Sequence, residues 1–327
     1  MSLHETRYEG EPALLYETAA VRMTILPHIG GKVISLVDRA TQREWLWRQP
    51  GRPLRRPSYG DAYPQYDLSG WDECFPSIGP CLHPDPPWHD VGIPDHGELW
   101  SLPWATAPDG PDLVMWASGL RFPYRFERRF HPDGQALRIL YTVTSAAAEP
   151  FRCLWSLHPF FAATPTLRIL LPEGVRAYVD QSNDDRLGRQ GTTHTWPLTG
   201  DTRGRTVDLS ALGPADEGTI EKLFALGLTA GWVAAIDEAT DDYIALTFNP
   251  HDLPSVGMAI NRGAWPVDHP AFTAILEPCS GWPDHLSDAV VHGVCATLPP
   301  RGALHWQVVL HVGRGTARLQ AVLKGTD

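Results

Sequence analysis

The chain has 327 residues, 43% of them hydrophobic, enough for a large buried core. Its formal net charge is −11, and its densest basic run, Arg52 to Pro57, is short and broken by proline, so nucleic acid is not expected as a partner. The 31 prolines and 29 glycines are spread along the chain, which argues against long helices and for many short strands joined by turns.

The N-terminal residues are polar and acidic, unlike a signal peptide, and no apolar run is long enough to span a membrane. A cytoplasmic protein is expected. Residues 12–47 read as a β meander: PALLYE, VRMTILP and KVISLVD have period-two character, with a glycine turn at Gly30-Gly31. The chain then turns through Asp38-Arg39-Ala40-Thr41 into REWLW. From Ser69 to Trp104 no regular pattern fits. So long an irregular segment, dense in aromatic, acidic and histidine residues, is expected to wall a ligand pocket.

From Leu113 the strand signal returns in LVMWAS, YRFERRF and ALRILYTVT, with a hairpin turn at His131-Pro132-Asp133-Gly134. Leu137, Ile139, Tyr141 and Val143 share one face. Phe151 to Phe161 reads as one further strand, with Arg152, Ser156 and His158 on its more polar face. LRILLP and VRAYV follow, and residues 180–210 read as loop. Residues 216–227, DEGTIEKLFALG, read as a short helix. WVAAID, YIALTF, SVGMAIN, FTAILE and LHWQVVLHV are strands, and ARLQAVLK is a short terminal helix. The economical architecture is all-β: one mostly antiparallel domain spanning 1–327.

Five cysteines, Cys74, Cys81, Cys153, Cys279 and Cys295, form no CxxC pair and read as reduced thiols. His83 and His89 stand six apart in a proline-rich loop, which is not a metal-ligand spacing. GxGxxG, GxxxxGK[ST] and GxSxG are all missing, so neither a phosphate cradle nor an α/β-hydrolase nucleophile is supported. Titratable residues in rigid settings occur at Asp95-His96-Gly97-Glu98, Leu157-His158-Pro159-Phe160-Phe161 and Leu276-Glu277-Pro278-Cys279. Gly70-Trp71-Asp72-Glu73 adds two adjacent carboxylates. The 13 tryptophans suggest a sugar ligand, because flat aromatic faces stack on the C–H faces of pyranose rings; most are expected in the core, with one or two of Trp71, Trp88, Trp100, Trp104 and Trp265 lining a pocket.

The order of these motifs resembles the aldose 1-epimerase (galactose mutarotase-like) superfamily. IGGKVISLVDRATQREWLW is similar to its opening strands, PDHG to its His-Gly element, LHPFF to its His-x-Tyr-Phe element, ILEPCSGWPD to the late strand carrying its glutamate, and LPPRGALHWQVVLHV to its closing strand. The resemblance implies a β-supersandwich of large antiparallel sheets with few short helices. It also implies a free aldose or a derivative as substrate and no metal or organic cofactor. Glu277 would be the general base that takes the anomeric hydroxyl proton. His158 would be the general acid that protonates the ring oxygen, and His96 would hold a substrate hydroxyl or the ring-oxygen region.

A carboxylate near pKa ~4.3 and an imidazole near ~6.5 suit this division of labour. The chain departs from the pattern where the family carries arginines. Trp71-Asp72-Glu73 stands in place of an Asn-Arg pair, and Trp100 stands three residues after the His-Gly element. Trp71, Asp72, Glu73, Arg262 and Trp265 are therefore the expected substrate-binding residues, with Arg262 a replacement for the missing arginine. Two other readings stay open: a non-catalytic sugar-binding or sensing module, and a lyase or hydrolase using Asp72 and Glu73.

Overall fold

The alternating apolar runs form two antiparallel sheets in the computed structural model, which describes residues 1–325. The larger sheet has 11 strands. In spatial order they are Ser2–Tyr8, Glu11–Glu17, Val21–Leu26, Lys32–Asp38, Trp71–Cys74, Ser156–Ala162, Phe272–Cys279, Ser255–Arg262, Thr219–Leu226, Arg176–Ser182 and Thr193–Thr195. The second sheet has eight: Leu167–Leu170, Trp232–Asp237, Asp242–Phe248, Ala303–Arg314, Ala136–Ser145, Tyr124–Asp133, Asp112–Ser118 and Ala105–Asp109. Helix is confined to short pieces, chiefly Leu286–His292 and Thr316–Lys324. No helix among the described residues is long and apolar enough to cross a membrane.

Period two decides what each strand buries. Met258 and Ile260, Ala274 and Leu276, Leu157 and Phe161 all point between the sheets. There they join Leu137, Ile139, Tyr141 and Val143 from the second sheet in one core. Their neighbours point the other way. Phe160 and Ile275 pack with Tyr63, Leu68 and Trp100 on the outer face of the larger sheet, under the loops that precede residue 104. The larger sheet is thus covered on both faces, and His158 and Glu277 stand on the outer one.

The glycine turn and the irregular stretch are fitted to each other. Gly30 has φ +63°, and a Cβ there would lie 2.4 Å from the backbone oxygen of Trp100. Gly97 has φ +71°, and a Cβ there would lie 2.1 Å from the backbone oxygen of Phe75. Only glycine meets both demands at once.

Three expectations change. Residues 216–227 are not a helix; Thr219–Leu226 is an inner strand between Ser255–Arg262 and Arg176–Ser182. Its two charged residues, Glu221 and Lys222, are consecutive, face opposite sides and are paired rather than solvated. Phe151 to Phe161 is two strands, Phe151–Cys153 and Ser156–Ala162, which belong to different sheets. Residues 180–210 hold the end of Arg176–Ser182 and the short strands Thr193–Thr195, Leu198–Gly200 and Thr206–Asp208.

Candidate active site

Four neighbouring strands and the loops beside them build a cleft of about 430 Å³ on the outer face of the larger sheet, with Ala259 of Ser255–Arg262 in its floor. Ser156–Ala162 supplies His158, Thr219–Leu226 supplies Lys222, and Phe272–Cys279 supplies Ile275 to the lining and Glu277 just behind it. The irregular stretch contributes Ile78, Gly79, Pro80, Asp95 and His96 to the lining, and Trp265 closes another side. Part of that stretch is therefore a pocket wall, as expected. Trp71, Glu73 and Phe75 of the same stretch pack inward, while Leu82, His89 and Asp90 lie exposed.

His158 Nε2 lies 3.3 Å from Glu277 Oε1. Both side chains are buried, Glu277 completely. Burial, reinforced by the positive charges of His96, Lys222 and Lys32, holds the His158 pKa well below the usual imidazole value. At neutral pH the contact joins a neutral ring to a carboxylate, so it is not an ion pair. The other carboxylate oxygen, Glu277 Oε2, accepts a hydrogen bond from Lys222 Nζ at 2.5 Å. Lys222 also lies 3.2 Å from Asp284 Oδ1. Burial opposes the Lys222 charge, but the Asp284 and Glu277 carboxylates outweigh it and raise its pKa. Burial likewise raises the Asp284 pKa, against the pull of Lys222. Farther out, burial and the Asp284 charge push Asp180 up to about 6.

His96 is held by three constraints. Its backbone has φ +60°, an uncommon conformation for a non-glycine residue. Its Nδ1 lies 2.8 Å from Asp95 Oδ1. Its ring stacks on Tyr63, with centroids 3.8 Å apart and planes at 14°. The His96 and His158 rings meet edge to face at 4.7 Å. Tyr63 in turn donates its hydroxyl to Asp72 Oδ2 at 2.9 Å. His96 and His158 thus face one space, and Glu277 backs His158.

No family model matches the chain, and no curated protein does. Solved structures match it along nearly its whole length. The Slr1438 protein of Synechocystis sp. PCC 6803 superposes with a TM-score of 0.67 at 17% identity, over 96% of this chain and 99% of that one. A galactose mutarotase related enzyme from Lactobacillus acidophilus gives 0.65 at 12% identity, over 92% and 97%. A galactose mutarotase-like protein from Clostridium acetobutylicum gives 0.63 at 11% identity, over 96% and 99%. This chain has the galactose mutarotase-like fold.

Within that galactose mutarotase-like frame, the remaining expected binding residues divide. Trp265 is half-buried and lines the cleft. Asp72 sits behind the wall, where it accepts hydrogen bonds from Tyr63 and from Lys32 Nζ at 2.8 Å. Trp71 and Glu73 flank Asp72 on the strand and therefore point into the inter-sheet core. Trp71 packs on Phe130 and Arg128. Glu73 accepts from Arg128 at 2.9 Å, Tyr141 at 3.1 Å and Trp155 at 2.8 Å. It is committed away from the cleft, which removes the motive for a lyase or hydrolase built on that carboxylate. Arg262 also faces away. Its guanidinium binds the Leu212 and Ala211 carbonyls and Glu221, so it does not replace the missing arginine.

Lys222 and Tyr63 are cleft residues that the motifs did not point to, and Asp284 closes the ILEPCSGWPD motif without an expected role. Lys222 was legible in principle: strand alternation in TIEKLFAL sets Ile220, Lys222 and Phe224 on one face. Among the described residues, no group of three or more His, Cys, Asp or Glu is arranged to hold a metal ion.

Proposed function

We propose that this protein interconverts the anomers of an aldose by acid/base opening and reclosure of the ring. The observation that carries the reading is that His96 and His158 line one cleft and Glu277 is buried directly behind it, with His158 Nε2 3.3 Å from Glu277 Oε1. Solved structures of the same fold agree with it in kind, among them a candidate aldose 1-epimerase of Escherichia coli K12 at 15% identity and a TM-score of 0.65, covering 96% of this chain and 99% of that one.

Glu277, held by Lys222 at Oε2, takes the proton of the anomeric hydroxyl through Oε1. As the C1–O1 bond gains carbonyl character, the C1–ring oxygen bond breaks, and His158 in its protonated form delivers a proton to the ring oxygen. Rotation about C1–C2 and reclosure give the other anomer. The depressed pKa of His158 makes its imidazolium scarce at neutral pH but a stronger acid when formed. Exchange should therefore be fastest on the acid side of neutrality. His96, fixed by Asp95 and Tyr63, presents a ring edge to a sugar hydroxyl.

Polarimetry or NMR exchange across a panel of free aldoses tests this. The expected result is accelerated anomer exchange with at least one sugar, reduced by about 10²-fold or more in Glu277→Gln. Unchanged exchange in that variant would sink the mechanism. The burial of Glu277 beneath Lys222 favours a second reading, a binding or sensing module. Sugar binding by calorimetry without exchange would select it.

A further inference from the structure

Lys222 reaches Glu277 from two strands away, across Ser255–Arg262. That is possible because of what the intervening strand presents to the cleft. Gly257 pairs with Glu277 on one side and Phe224 on the other, and Ala259 pairs with Lys222. A Cβ at Gly257 would lie 2.3 Å from Glu277 Oε2, so the carboxylate occupies the space that a side chain would fill. A larger residue at Ala259 would stand in the lysine's path. The lysine ammonium then binds Oε2, and Asp284 meets the same ammonium from the loop after residue 279. Oε1, which has no hydrogen-bond partner among the described residues, is left beside His158.

We propose that Lys222 is the positioning residue of this site: crossing the strand stripped to Gly257 and Ala259, it fixes one oxygen of Glu277 and leaves the other to face His158 and the ligand, with Asp284 steadying the ammonium. The assignment rests on the proposed acid/base role of Glu277 but has a readout that does not. Around His158 stand Glu277, Lys222, Lys32, His96, Tyr63 and Asp72. Around Glu277 stand His158, Lys222, Asp284 and the thiols of Cys74 and Cys279. Lys222 is common to both sets, so its charge is felt at both members of the pair.

The experiment is an NMR titration of the His158 ring in the full chain, for wild type, Lys222→Met and Lys222→Arg. Removing the ammonium should raise the His158 midpoint by about one pH unit, because a like charge within a few ångströms disfavours the imidazolium. The arginine variant should stay near wild type. Where exchange is measurable, the alkaline limb of its pH–rate profile, set by loss of the His158 proton, should move to higher pH in Lys222→Met and return in Lys222→Arg. A His158 midpoint unchanged in Lys222→Met, or moved equally by both variants, overturns the assignment. If Lys222→Met does not fold, Lys222→Gln carries the same comparison. Wild-type protein that exchanges no aldose would refute the proposed function, while the His158 titration would still decide the role of Lys222.

Discussion

His158 is a ring that folding keeps neutral, and that has a cost at acid pH. Its folded pKa lies well below the value of about 6.5 that the unfolded chain offers. Below that pH the unfolded state binds a proton that the native state does not. The stability present above about pH 6.5 is therefore lost as pH falls toward the folded pKa, at up to roughly 1.4 kcal/mol per pH unit for one proton. Thermal melts from pH 7.5 to 5 should show a shallower acid decline in His158→Gln than in wild type; parallel declines would mean that other groups set the slope. The same residue shows what the sequence makes legible. His96, His158 and Glu277 each stand beside a glycine or proline, and it is the order of their motifs, not any one of them alone, that singles them out. Trp71, Asp72 and Glu73 could not all line one cleft, because consecutive strand residues face opposite sides of a sheet. Arg262 failed for the same reason, lying on the face opposite Ala259.

At the scale of the element, Thr219–Leu226 looked helical because its charges fall on both faces. Glu221 points inward to Arg262 at 3.0 Å, and Lys222 points outward to Glu277. Buried pairing across distant segments has no local signature, so the strand and its lysine were hidden together. The Trp71–Cys74 strand has a comparable device between the sheets. Glu73 and Arg128 are both fully buried, with Tyr141 and Trp155 completing the carboxylate's bonds. Phe130, Trp104 and Trp71 surround the guanidinium. Taking away one partner leaves an uncompensated charge in that core, so Arg128→Met should destabilise the fold by about 3–5 kcal/mol. Glu73→Gln with Arg128→Met together should recover part of that loss, since neither charge then remains. Urea unfolding midpoints measure both, and additive losses would show that the two groups are not coupled.

Across the whole molecule, the acidic balance visible in the sequence acts at the cleft as well as at the surface. The chain carries a formal net charge of −11. Asp95, Asp284 and the underlying Glu277 bring carboxylates to the site, and among the described lining residues Lys222 is the one lysine and no arginine appears. That lysine is already divided between two carboxylates. A phosphorylated sugar entering there would meet negative potential without a free cation to receive it. A free aldose should therefore bind at least about tenfold more tightly than its phosphate ester, a difference of ~1.4 kcal/mol. The gap should narrow at high salt, where part of the molecular field is screened. Calorimetry on one aldose and its 6-phosphate, at two salt concentrations, makes the comparison. Tighter binding of the ester would mean that an arginine now paired elsewhere, such as Arg262, leaves its partners when the ligand arrives.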